Sequence, residues 1–108
     1  MELMYQNVVE MMDRCCEEYA DLPMYGAPVD GDYNWMTFRD FAKTVAELRG
    51  GLDLLGVGVG DRVGIISNNM IPWATMAYAA FSAGAVYVPM YPQQNKEQWQ
   101  YILHDSSC

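Results

Sequence analysis

Residues 61–92 read DRVGIISNNMIPWATMAYAAFSAGAVYVPMYP, and this stretch decides the fold. No charged side chain lies between Arg62 and Lys96. Within that gap, β-branched residues dominate positions 62–67, an alanine-rich segment with helical spacing follows Pro72, and a second β-rich run covers 85–88. This order predicts a buried strand–helix–strand unit, which is nearly always parallel and right-handed.

Glycine and proline residues set the expected limits of this unit. Gly64, inside the first strand, allows another backbone to approach closely. Pro72 suits the first turn of a helix, and Gly84 is expected to end it. Pro89 and Pro92 are expected to stop the second strand.

Ahead of this unit, residues 5–20 have the spacing of an amphipathic helix that ends before Pro23. Its methionines favour docking on its own domain; a groove for a partner is the alternative. Residues 24–29 and 33–36 read as two strands, with Asp30, Gly31 and Asp32 as the hairpin connection. The apolar positions of the helix are Val8, Met11, Met12, Cys15 and Tyr19.

A second helix is predicted from Phe38 to about Leu55. Thr37 can cap it, with Asp40 in the carboxylate position of a capping box, and Gly56 is the expected stop. Gly50 and Gly51 each cost such a helix about 1 kcal/mol relative to alanine, so we expect tight packing there. The predicted apolar stripe consists of Phe41, Val45, Leu48, Leu52 and Leu55.

A last helix is predicted at residues 96–104, with Asn95 as its cap and Trp99, Ile102 and Leu103 facing inward. The predicted fold class is therefore α/β: a short hairpin, a parallel strand–helix–strand unit and covering helices. The length predicts one domain or part of one, and we take residues 1–108 as a single partial domain.

The net charge of −8 comes from the first half of the chain. Residues 1–61 carry 12 acidic and 4 basic side chains, whereas residues 62–108 carry 2 of each. Nucleic acid is therefore not an expected partner, because no basic patch offsets the repulsion of phosphates. Cys15, Cys16 and Cys108 show neither disulfide nor metal spacing and suit a reducing compartment. The first ten residues do not read as a secretory signal.

A membrane span is the alternative interpretation of the uncharged residues 63–95. The proline and glycine residues there leave a continuous helix of about a dozen residues, roughly 18 Å long. A span needs about 20 residues, so the sequence predicts no transmembrane segment.

The segment GVGVGD at 56–61 invites interpretation as a phosphate-binding loop. A dinucleotide loop follows a strand and opens a helix, whereas this segment follows a helix and opens a strand. We therefore predict an ordinary turn. His104 and Asp105 are adjacent near a helix end and are not expected to act as an acid–base pair.

Open α/β sheets bind ligands at the carboxyl ends of their strands. This rule nominates residues 67–69 (Ser67, Asn68, Asn69) and 89–92 as the lips of a crevice. The residues themselves form no recognisable catalytic, cofactor-binding or metal-binding set.

Several segments, in order, resemble the amino-terminal region of adenylate-forming enzymes, and most of all AMP-forming long-chain fatty acid–CoA ligases. The similarity extends from about residue 5 to the end of the chain. The segments are WMTF at 35–38, LGVGVGDRV at 55–63, SNN at 67–69 with Trp73, AGAVYVPMYP at 83–92 and YILHDS at 101–106.

The resemblance implies a parent enzyme that activates a fatty acid with ATP to an acyl adenylate and then transfers the acyl group to CoA, with Mg²⁺ assisting. The family's phosphate loop, nucleotide motifs and catalytic lysine have no counterpart here. The chain is thus expected to be a truncated scaffold piece that binds no cofactor and is inactive alone. The expected location is cytoplasmic or peripheral to a membrane. The alternative is a non-catalytic interaction or oligomerisation module that self-associates through exposed apolar surface.

Overall fold

Four helices and two small sheets make up residues 4–108, the part of the chain that the computed structural model describes. This confirms the predicted mixed α/β class. In chain order the elements are α1 (Val8–Glu18), β1 (Pro23–Val29), β2 (Asp32–Thr37), α2 (Phe38–Leu54), β3 (Arg62–Ile66), α3 (Ile71–Ser82), β4 (Val86–Met90) and α4 (Lys96–Asp105).

The uncharged stretch forms the predicted parallel unit: β3 pairs with β4, and α3 connects them. Strand β4 differs from the prediction because it continues through Pro89 to Met90. The amide of Val86 donates to the Asp61 carbonyl across the ladder at 2.7 Å. Successive amides alternate in direction, so position 89 faces away from β3, and the proline there removes no bond between the two strands.

Helices α3 and α4 cover opposite faces of this sheet. On one face, the ring of Tyr87 packs edge-on against Trp73 of α3, with centroids 5.3 Å apart. On the other, a Cβ at Gly64 would lie 3.1 Å from Leu103 of α4 and 3.2 Å from Met90. The close approach predicted at Gly64 therefore occurs, but to side chains rather than to backbone.

Strands β1 and β2 form the predicted antiparallel hairpin. The turn consists of Asp30 and Gly31 alone, with φ of +50° and +87°, and Asp32 already belongs to β2. Positive φ at both central residues matches the right-handed twist of the strands, which is why Asp-Gly suits this turn. On the outer face, the exposed rings of Tyr33 and Trp35 stack at 5.8 Å.

Helix α1 is shorter than the predicted 5–20. Asn7 caps it by accepting the amide of Glu10 at 2.8 Å, and the helix ends at Glu18. Of the predicted apolar stripe, Met11, Met12 and Cys15 are half-buried. The prediction is wrong at both ends of the stripe, because Val8 is 50% exposed and Tyr19 is 41% exposed.

Helix α2 begins with the predicted capping box. The amide of Asp40 donates to the Thr37 hydroxyl at 3.1 Å, and the amide of Thr37 faces the Asp40 carboxylate at 3.5 Å. The helix ends at Leu54 with Leu55 as its C-cap. The next residue, Gly56, has φ of +83°, and the amide of Val57 donates back to the Leu52 carbonyl at 3.0 Å.

The far end of the α2 stripe departs from the prediction. Phe41 and Leu52 are buried, but Leu55 lies beyond the helix and is 81% exposed. The prediction of tight packing at Gly50 and Gly51 is also wrong, because a Cβ at either position would meet no atom within 4 Å. The carboxyl half of α2 is thus only partly covered by the described residues.

The core lies where α2 crosses α3. Phe41 is fully buried, with its ring 5.7 Å from Tyr25 of β1 and 5.8 Å from Tyr78 of α3. Small side chains on α3 allow this close crossing, and its buried positions are Thr75, Ala77, Ala79 and Ala80.

Helix α4 has the predicted cap, because Asn95 and Gln98 exchange two backbone–side-chain hydrogen bonds of 2.9 Å. The helix ends at Asp105, one residue later than predicted. The indole of Trp99 donates to the Tyr91 carbonyl at 2.9 Å and ties α4 to the end of β4. Among residues 4–108, every helix is too short or too polar to cross a membrane.

Candidate functional site

The carboxyl ends of β3 and β4 lie at one edge of the sheet, since the strands are parallel and Ile66 pairs with Met90. The residues that follow each strand therefore share this edge, as the sequence predicted. Asn68 is exposed and Tyr91 is 72% exposed. The hydroxyl of Ser67 donates to the Asn68 carbonyl at 2.9 Å, so local backbone already occupies it.

The two segments at this edge, residues 67–69 and 89–92, carry hydroxyl, amide and phenol groups. They contain no carboxylate, imidazole, amine or thiol. Such groups can bind a ligand through hydrogen bonds, but they supply no acid or base that works near neutral pH. This end of the sheet is therefore a surface that can bind a ligand through hydrogen bonds.

The glycine segment at 56–61 is the predicted turn between α2 and β3. The amide of Gly58 donates to the Asp61 carboxylate at 2.7 Å, and the amide of Gly60 donates to the Gly84 carbonyl at 3.0 Å. A phosphate at this turn would meet amides that already have acceptors, beside the negative charge of Asp61. Its role in the fold is to join the start of β3 to the turn before β4.

Burial favours the neutral forms of two side chains, the phenol of Tyr87 on β4 and the thiol of Cys16 on α1. It raises the pKa of Tyr87 to about 12, and the hydroxyl donates to the Trp73 carbonyl at 3.0 Å. Burial also raises the pKa of the Cys16 thiol, with the charges of Asp13 and Cys15 adding to the effect. A thiol with a raised pKa is a poor nucleophile.

His104 lies exposed near the end of α4, and it forms no ion pair with a carboxylate within residues 4–108. Over the same residues, no three histidine, cysteine or acidic side chains come together as metal ligands.

One feature that the sequence did not predict is a groove between α1 and α2. It has a volume of about 600 Å³, and Tyr78 and Ser82 of α3 form part of its floor. The side chain of Met12 lies on one wall and that of Val45 on the other. Small residues at Ala42, Ala46 and Gly50, spaced by four along α2, could have indicated it.

Comparison with known proteins identifies the fold. A family model described as AMP-binding enzyme matches residues 12–108. The chain belongs to the AMP-binding enzyme family. This confirms the resemblance to adenylate-forming enzymes drawn from the sequence.

Two curated relatives are named as long-chain fatty acid–CoA ligases. FadD15 of Mycobacterium bovis is 33% identical over 104 residues, which covers 96% of this chain and 17% of FadD15. The Drosophila melanogaster protein heimdall is 34% identical over 104 residues, covering 91% of this chain and 15% of heimdall. The chain thus spans about a sixth of the length of these curated relatives.

Among solved structures, the Mycobacterium tuberculosis fatty acyl CoA synthetase superimposes with a TM-score of 0.85 and 26% identity. The match covers 93% of this chain and 20% of that structure. The arrangement of hairpin, parallel unit and covering helices is therefore that of the amino-terminal part of an AMP-binding enzyme.

Proposed function

We propose that this chain is an amino-terminal scaffold part of an ATP-dependent, AMP-forming long-chain fatty acid–CoA ligase. The observation that carries the proposal is the 33–34% identity to two proteins named as such ligases over nearly all of this chain. The parent enzyme would take a fatty acid, ATP and CoA as substrates, with Mg²⁺ on the phosphates, and would form an acyl adenylate before the thioester.

We further propose that residues 1–108 are one partial domain, inactive alone, with no catalytic, cofactor-binding or metal-binding residue of their own. Two observations support this assignment. Burial raises the pKa of Tyr87 and of Cys16, which favours their neutral forms, and residues 67–69 and 89–92 carry no acidic or basic side chain. The role of this part is mechanical: α3 and α4 hold β3 and β4 in register, and other strands of the parent would extend that sheet.

The proposed location is cytoplasmic, with peripheral contact to a membrane. This location suits the proposed substrates, because the fatty acid is a lipid whereas ATP and CoA are water-soluble.

The alternative function is a non-catalytic interaction or oligomerisation module, and exposed apolar side chains favour it. Leu54 and Val59 are each 89% exposed, and Ile66 and Val86 on the parallel sheet are 44% and 51% exposed. Apolar surface of this extent promotes self-association.

The first experiment reads the nucleotide sequence beyond the codon for Cys108. The ligase proposal predicts an open frame that continues into a strand and a Ser/Thr/Gly-rich phosphate loop. An immediate stop codon would contradict an intact parent and leave the interaction module as the function to test.

The second experiment assays the purified chain for ATP- and CoA-dependent formation of acyl-CoA from palmitate and Mg²⁺. The M. tuberculosis synthetase serves as the positive control, and circular dichroism verifies that the chain is folded. We expect no product above the blank, and sustained turnover would overturn the assignment of this part as an inactive scaffold. Light scattering after gel filtration tests the alternative, because a clean monomer with cooperative melting would eliminate the oligomerisation module.

A further inference from the structure

We draw no further inference here: the strongest candidate, the groove between α1 and α2, carries none, because nothing in the structure shows what covers it.

Discussion

Removal of the Phe41 ring tests whether the crossing of α2 over α3 is the energetic centre of the fold. The side chain is fully buried and contacts aromatic rings from β1 and α3 at 5.7 and 5.8 Å. Replacing a buried phenylalanine by alanine costs about 3–5 kcal/mol. Phe41 also lines the groove, so the void would open to solvent rather than stay sealed. We therefore expect a value near the low end, about 3 kcal/mol.

Urea unfolding followed by far-ultraviolet circular dichroism measures this loss, and Phe81→Ala is the matched control. Phe81 is 37% exposed, so the same substitution should cost only about 1–2 kcal/mol. The 3 kcal/mol expected for Phe41→Ala is a large fraction of the 5–15 kcal/mol typical of a domain, so Phe41→Leu provides a milder variant that should remain folded. A loss below about 1 kcal/mol for Phe41→Ala, or a loss no greater than that of Phe81→Ala, would refute this account of the core.

Three further substitutions test local features by the same unfolding measurement. Gly84→Ala should cost about 2 kcal/mol of unfolding free energy, because Gly84 has φ of +75° and a Cβ there would lie 2.9 Å from the Val59 side chain. Gly56→Ala, at φ of +83° in open space, should cost about half as much. Equal losses would contradict the role of Val59. Tyr87→Phe should cost about 1 kcal/mol through its lost hydrogen bond. Burial raises the pKa of Tyr87 in the folded chain to about 12, whereas the pKa in the unfolded chain is about 10. The stability from the neutral phenol is therefore complete below pH of about 10 and is lost as the pH rises toward 12. Tyr87→Phe should lack this alkaline loss, and a pH profile unchanged by the substitution would contradict the prediction. Thr37→Ala should cost about 1 kcal/mol and Thr37→Ser much less, unless the cap contributes nothing in solution.

Features with a local cause were predictable from the sequence. The Asp-Gly turn, the Thr37 and Asn95 caps and the glycine end of α2 each depend on residues within a few positions of one another. Their geometry is set by short-range hydrogen bonds and by the steric freedom of glycine. The parallel strand–helix–strand unit was also predictable, because its uncharged sequence leaves few other ways to be buried.

Features with a tertiary cause were not predictable. The periodicity of α2 placed Leu55 on the apolar stripe, but the chain turns at Gly56 and leaves that leucine 81% exposed. Pro89 was expected to end its strand, but its missing amide falls on the side of β4 that faces away from β3. Both outcomes depend on which neighbour lies on which side, and one strand or helix does not contain that information. The groove was missed for the same reason, since it exists only when α1 and α2 are placed side by side.

The errors at the carboxyl end of α2 have one physical explanation. The sequence there gives Gly50, Gly51, Leu54 and Leu55, a combination that weakens a helix and exposes apolar surface unless something covers it. The described residues do not cover it: the two leucines are 89% and 81% exposed, and both glycines face open space. Within residues 4–108, no packing contact at these two glycines offsets the helix stability that they cost. Gly50→Leu and Gly51→Leu should therefore each raise the melting temperature of this chain in thermal unfolding followed by circular dichroism, because each removes a helical glycine at a position where an added Cβ meets no atom within 4 Å.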